Sequence, residues 1–168
     1  MLDYLKKNAQ KAYKEISSII EKPIFLFSND PDLIKRESNY NYCYLHGFNR
    51  LIKHNRITND RLLEVFGFLE DKIEEYLKQH YQSKKFIYYL NGDAQIPAFT
   101  LSVVSFHDYR QIMNSTDLIE LIEWYRSNAC FDGLRIIEEE QERESEAIST
   151  EKQEPLDSFR SYSKVIET

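Results

Sequence analysis

Phe86-Ile87-Tyr88-Tyr89-Leu90-Asn91-Gly92 is the stretch on which the fold turns. Five consecutive apolar residues, aromatic and aliphatic, read as a buried strand. Asn91-Gly92 is the dipeptide favoured in type I′ turns, where both central residues need positive φ. The chain then returns through Phe99, Leu101 and Val103 at strand spacing, so the segment predicts a β-hairpin. Pro97 has no N–H to give to a ladder, which places it at a bulge, a strand start or an edge.

Helical patterns flank the hairpin. Upstream, after the cap candidates Thr58 and Asn59, residues Leu62, Phe66, Leu69, Ile73, Tyr76/Leu77 and Tyr81 hold one apolar stripe, and Glu74 with Lys78 adds an i,i+4 pair. Leu5, Ala9, Ala12, Ile16 and Ile19/Ile20 predict an amphipathic first helix over Asp3–Glu21. Leu45, Phe48 and Leu51/Ile52 predict another from about Asn41 to His54. Between these, Pro23–Ser28 reads as a short buried strand closed by a turn at Asn29-Asp30-Pro31-Asp32. Downstream, Asn114-Ser115-Thr116-Asp117 caps a helix through Leu118, Leu121/Ile122 and Tyr125, and Leu134–Ile137 reads as a last strand. The order αβααββαβ predicts an α+β domain of about four helices on a small, mostly antiparallel sheet of about four strands.

The net charge of −6 resides entirely in Glu138–Glu154, where eight glutamates, Glu138, Glu139 and Glu140 foremost, face only Arg143 and Lys152. The division expected is a globular body over 1–137 and an acidic C-terminal tail over 138–168. Beyond the glutamates, Leu156, Phe159, Tyr162 and Ile166 recur along one helical face after Pro155. Such a short amphipathic helix needs a surface to dock on, its own body or a partner.

Composition excludes several classes. Only four glycines occur, and neither G-x-G-x-x-G nor a P-loop is present, so no nucleotide cofactor is expected. The neutral body lacks the basic surplus that phosphate binding requires, which argues against nucleic acid as a partner. No apolar run approaches the roughly 18 residues of a membrane span. The N-terminus shows no secretory pattern, and Cys43 and Cys130 stand alone in apolar surroundings, so a cytoplasmic location is expected.

Two constellations carry candidate chemistry. Cys43, near the start of a predicted helix, with His107 as base and Asp108 or Asp117 orienting it, would suit a papain-like thiol hydrolase or deamidase. A lone buried cysteine more often packs as a small hydrophobe. Cys43-x-x-His46, with His54, His80, His107 and Cys130 elsewhere, is too scattered for a closed zinc site, and no metal is expected. The second constellation is Tyr40, Tyr42 and Tyr44, whose rings share a face if the backbone is extended. Tyrosine combines large contact area with a polar tip and is enriched at interfaces.

The leading expectation is therefore a non-catalytic protein-binding module, an inhibitor, immunity-type protein or adaptor. It would dock a partner with a basic surface through Tyr40, Tyr42 and Tyr44, with Leu156, Phe159, Tyr162 and Ile166 ordering as a helix in a groove. The thiol enzyme is the alternative, and a nucleic-acid mimic using the acidic stretch is a third reading.

Overall fold

Four helices and a four-stranded antiparallel sheet occur among the residues described by the computed structural model, namely 2–20, 25–28, 30–45, 48, 52, 56–95, 98–106, 115–129 and 158–168. They are α1 (Leu2–Ile20), α2 (Pro31–Tyr40), β1 (Tyr42–Tyr44), α3 (Asn59–His80), β2 (Lys85–Asp93), β3 (Ala98–Ser105), α4 (Leu118–Asn128) and β4 (Phe159–Glu167). The strand order is β1-β3-β2-β4. The α+β class holds, although two of the four strands are not those the pattern predicts.

The long helix forms where its stripe places it. The Thr58 hydroxyl caps it by accepting from the Arg61 N–H at 3.4 Å, and Lys78 pairs with Glu74 at 2.6 Å. Its residues Leu62, Phe66, Leu69, Ile73 and Leu77 are buried against Phe86, Tyr88, Leu90, Phe99, Leu101 and Val103 of the hairpin, with Ala9, Ala12 and Ile16 of α1 in the same cluster. Asp117 caps α4 by accepting from the Glu120 N–H at 2.7 Å.

The hairpin is present, but its turn is not at Asn91-Gly92. Both residues lie within the ladder, Asn91 opposite Thr100 and Gly92 opposite Phe99, and the reversal falls after Asp93. There the Asp93 side chain accepts from the Gln95 N–H at 2.9 Å, an Asx-type turn start. Gly92 serves packing instead, since a Cβ there would stand 3.2–3.4 Å from Tyr125, Leu121 and Trp124 of α4. Pro97 lies outside the described residues.

Three further expectations are corrected. Asp30-Pro31-Asp32 is not a turn alone: Asp30 accepts from the Asp32 N–H at 2.9 Å and Pro31 opens α2, while Asn29 lies outside the described residues. Phe25–Ser28 form no strand. Phe25 packs instead on Phe86 and Tyr81, at ring separations of 4.8 and 5.5 Å. Tyr42–Tyr44 are extended rather than helical, whereas Phe48 and Ile52 are helical and buried. The buried Glu37 carboxylate of α2 joins these pieces. It accepts from the Ser105 N–H, from the Ser105 hydroxyl at 2.9 Å and from the Leu26 N–H at 2.9 Å, satisfying β3 backbone where β1 no longer reaches. The strand predicted at Leu134–Ile137 lies outside the described residues.

The largest correction concerns the C-terminal segment, which is a strand rather than a helix. β4 pairs with β2 along its whole length, from Lys85 opposite Glu167 to Asp93 opposite Phe159. Its inward side chains are keyed to α3: the Tyr162 hydroxyl donates to Glu70 at 2.7 Å, and Lys164 reaches Glu70 at 2.7 Å and Glu74 at 2.8 Å. The acidic stretch thus lies between α4 and β4, and is not terminal.

This latch has a pH signature. The Glu74 carboxyl is held below its ordinary range by the hydrogen bonds from Lys164 and then Lys78. Its contribution to stability is present above about pH 4.5 and is lost as pH falls through the lowered folded value. Lys164 is held above its ordinary range by Glu70 and then Glu74, so its contribution is present below about pH 10.5 and is lost as pH rises through the raised value. In urea midpoints measured across pH, Lys164→Met is expected to lose less stability than the parent at both extremes; parallel profiles would exclude the latch as their source.

Candidate interaction face

Antiparallel partners share a face and successive residues alternate, so the pairing sorts every strand side chain. Phe86, Tyr88, Leu90, Phe99, Leu101, Val103, Cys43, Tyr162 and Ile166 share the face carrying the main core. Tyr42 stands on the other face in a row with Ser102, Tyr89 and Ser163. Tyr44 heads the next row, with Thr100, Asn91 and Ser161. Phe159 shares this face through its pairing with Asp93.

Of the residues singled out as partner-binding, the structure therefore brings Tyr42, Tyr44 and Phe159 to one face, exposed to 40, 43 and 53%. Tyr40 ends α2 beside them and is exposed, whereas Tyr162 and Ile166 turn to the helical side. Leu156 and Glu138, Glu139 and Glu140 lie outside the described residues. The Tyr42 and Tyr44 rings meet edge to face at 5.5 Å. The Tyr44 phenol is held above its ordinary range by its hydrogen bond with Tyr42, by the Tyr42 charge, by burial and by the Asp93 carboxylate, so it remains neutral at physiological pH. Behind the rings the face is polar: the Ser161 hydroxyl donates to Asn91 Oδ1 at 2.8 Å, and Asn91 Nδ2 donates to Thr100 Oγ1 at 3.4 Å. Asn91, Asp93, Thr100 and Ser161 were not singled out from sequence: a turn at Asn91-Gly92 takes Asn91 and Asp93 out of the ladder, and Ser161 lies in a segment whose spacing predicts a helix.

Cys43 stands elsewhere. It occupies the middle of a strand, not a helix N-terminus, and is buried on the core face. Burial, then the charge of Glu15, pushes its thiol up from 9.0 to about 12. A thiolate is disfavoured there, opposite to what a nucleophile needs. In a Cys130→Ser background, Cys43 is expected to react with iodoacetamide at pH 8 at least about tenfold more slowly than a model peptide thiol; an equal or faster rate would return it to candidacy. His107 and Asp108 lie outside the described residues.

A concavity of about 450 Å³ opens between α1 and α3 and is lined by Tyr13, Lys14, Phe68, Lys72, Glu75 and Tyr76 among others. Lys72 is paired there with Glu75 at 2.6 Å. Among the described residues no three His, Cys, Asp or Glu side chains converge as a metal site, and no helix is long and apolar enough to cross a membrane. No family model, curated protein or solved structure matches this chain, so the face is read from its own residues.

Proposed function

We propose that this chain is a non-catalytic protein-binding module, of the inhibitor, immunity-protein or adaptor kind, that docks a partner through the face bearing Tyr42 and Tyr44. The supporting observation is the pair of neighbouring tyrosine rings left exposed on an edge strand, in a protein whose Tyr88 and Tyr125 are fully buried. Large aromatic side chains with polar tips grouped at one surface suit a protein interface. Tyr40 extends the patch. The glutamates of Glu138–Glu154 steer a basic partner surface toward it and raise the encounter rate, an effect that falls with salt.

Substitution, rather than truncation, tests the reading, since β4 follows the acidic stretch in the chain. Immobilised wild type should retain a stoichiometric partner from an extract of the source cells, and Tyr42→Ser/Tyr44→Ser should lose it with its melting temperature kept. Retention unchanged in that variant, or no partner with wild type, would overturn the proposal.

A further inference from the structure

We propose, resting on the protein-binding reading above, that the segment this face receives is a proline-rich stretch of the partner in the polyproline II conformation, lying across the strands from the Tyr42–Tyr44 pair toward Phe159.

Two kinds of group meet on this face. At its margins stand exposed aromatic rings, Tyr42 and Tyr44 edge to face on β1 and Phe159 on β4. Between them the row Thr100, Asn91 and Ser161 is half-buried and polar. Its hydrogen bonds run in one direction, from the Ser161 hydroxyl to Asn91 Oδ1 and from Asn91 Nδ2 to Thr100 Oγ1. A side-chain amide nitrogen carries two protons and a hydroxyl one. The second Asn91 Nδ2–H and the Thr100 O–H therefore remain as donors, and no described residue accepts from either.

Rings beside donors select among the ways a segment can dock. A helix spends its carbonyls on its own hydrogen bonds and lays an apolar stripe in an apolar groove, which a polar row does not offer. An extended strand adds to a sheet edge through its backbone rather than lying across a face. A polyproline II segment makes no internal hydrogen bonds. Its pyrrolidine rings pack on aromatic side chains, its carbonyls accept from Asn91 and Thr100, and proline has no N–H that would ask an acceptor of the face. The dimensions agree. Tyr44 and Phe159 stand on the first and last strands of the sheet, three strand spacings or about 14 Å apart. At a rise of about 3.1 Å per residue, about five residues of polyproline II cover that width.

The test uses the full chain and a fluorescent deca-proline peptide, with a glycine-serine repeat of equal length as control. In anisotropy titrations wild type should bind deca-proline and not the control. Tyr42→Leu and Tyr44→Leu, which remove a ring, should each weaken binding about two- to tenfold. Thr100→Val, which removes the hydroxyl and keeps the side-chain shape, should weaken it by a similar factor of about two to ten. Tyr44→Phe should retain it, and all melting temperatures should stay at the wild-type value. No binding by wild type, equal binding of both peptides, or unchanged affinity in any of the three weakening variants would overturn the polyproline site. The two readings fail separately. A partner captured by wild type and lost in Tyr42→Ser/Tyr44→Ser, yet not displaced by saturating deca-proline, leaves the protein-binding reading standing and the polyproline site refuted.

Discussion

A chain ending at residue 157 will lose its cooperative unfolding transition. The segment removed, 158–168, includes the whole of β4, which satisfies one side of β2 over nine residue pairs, buries Ile166 and anchors Lys164 and Tyr162 to α3. At about 1 kcal/mol for each net hydrogen bond, and about 2 kcal/mol for a buried aliphatic side chain, the loss is on the order of the 5–15 kcal/mol that stabilises a typical domain. β2 would also become an exposed apolar edge, which favours aggregation. Circular dichroism with urea titration gives the answer. The control replaces the eight glutamates of Glu138–Glu154 with glutamine and should melt as the parent does. A truncated chain that unfolds cooperatively at the parent midpoint would show that β4 is dispensable.

Gly92→Val should destabilise the protein by about 3 kcal/mol, a fall of roughly 6–12 °C in melting temperature for a chain of this size. A Cβ at position 92 already meets Tyr125, Leu121 and Trp124 at 3.2–3.4 Å, and the branched methyls of valine project further into α4. Gly92→Ala should cost much less, because α4 can shift by the few tenths of an ångström one methyl needs. The comparison separates two roles for this glycine. In a type I′ turn the positive φ would penalise alanine by conformation alone, so similar losses for Ala and Val would point to the turn. A steep rise from Ala to Val would point to the helix.

Those two expectations mark where local sequence reading stops. The stripes of α1, α3 and α4 were legible because each buries one face against the same core, so helical periodicity survives in the sequence. The hairpin was legible from its apolar runs, but Asn91-Gly92 carried a turn signal whose glycine answers to a helix met about thirty residues later. α2 was written in Asp30-Pro31-Asp32, a cap followed by a proline in the first turn, yet the same residues also spell a turn. β4 was hidden for a different reason. Its inward positions include Arg160 and Lys164, whose partners Glu120, Glu70 and Glu74 come from distant helices, so the strand lacks apolar alternation. Leu156, Phe159, Tyr162 and Ile166 meanwhile fall at helical spacing. The tyrosine cluster was visible in sequence, but aromatic content alone does not separate core from surface; that Tyr42 and Tyr44 are exposed and share a face with Phe159 followed only from the register of four strands.

The central claim, that a partner docks on this face, is tested most directly by amide hydrogen exchange of the full chain with and without the captured partner. Slowed exchange confined to Tyr40–Leu45, Ala98–Ser102 and Phe159–Ser163 is the result predicted. Protection along the groove between α1 and α3, or none at the tyrosine edge, would contradict it.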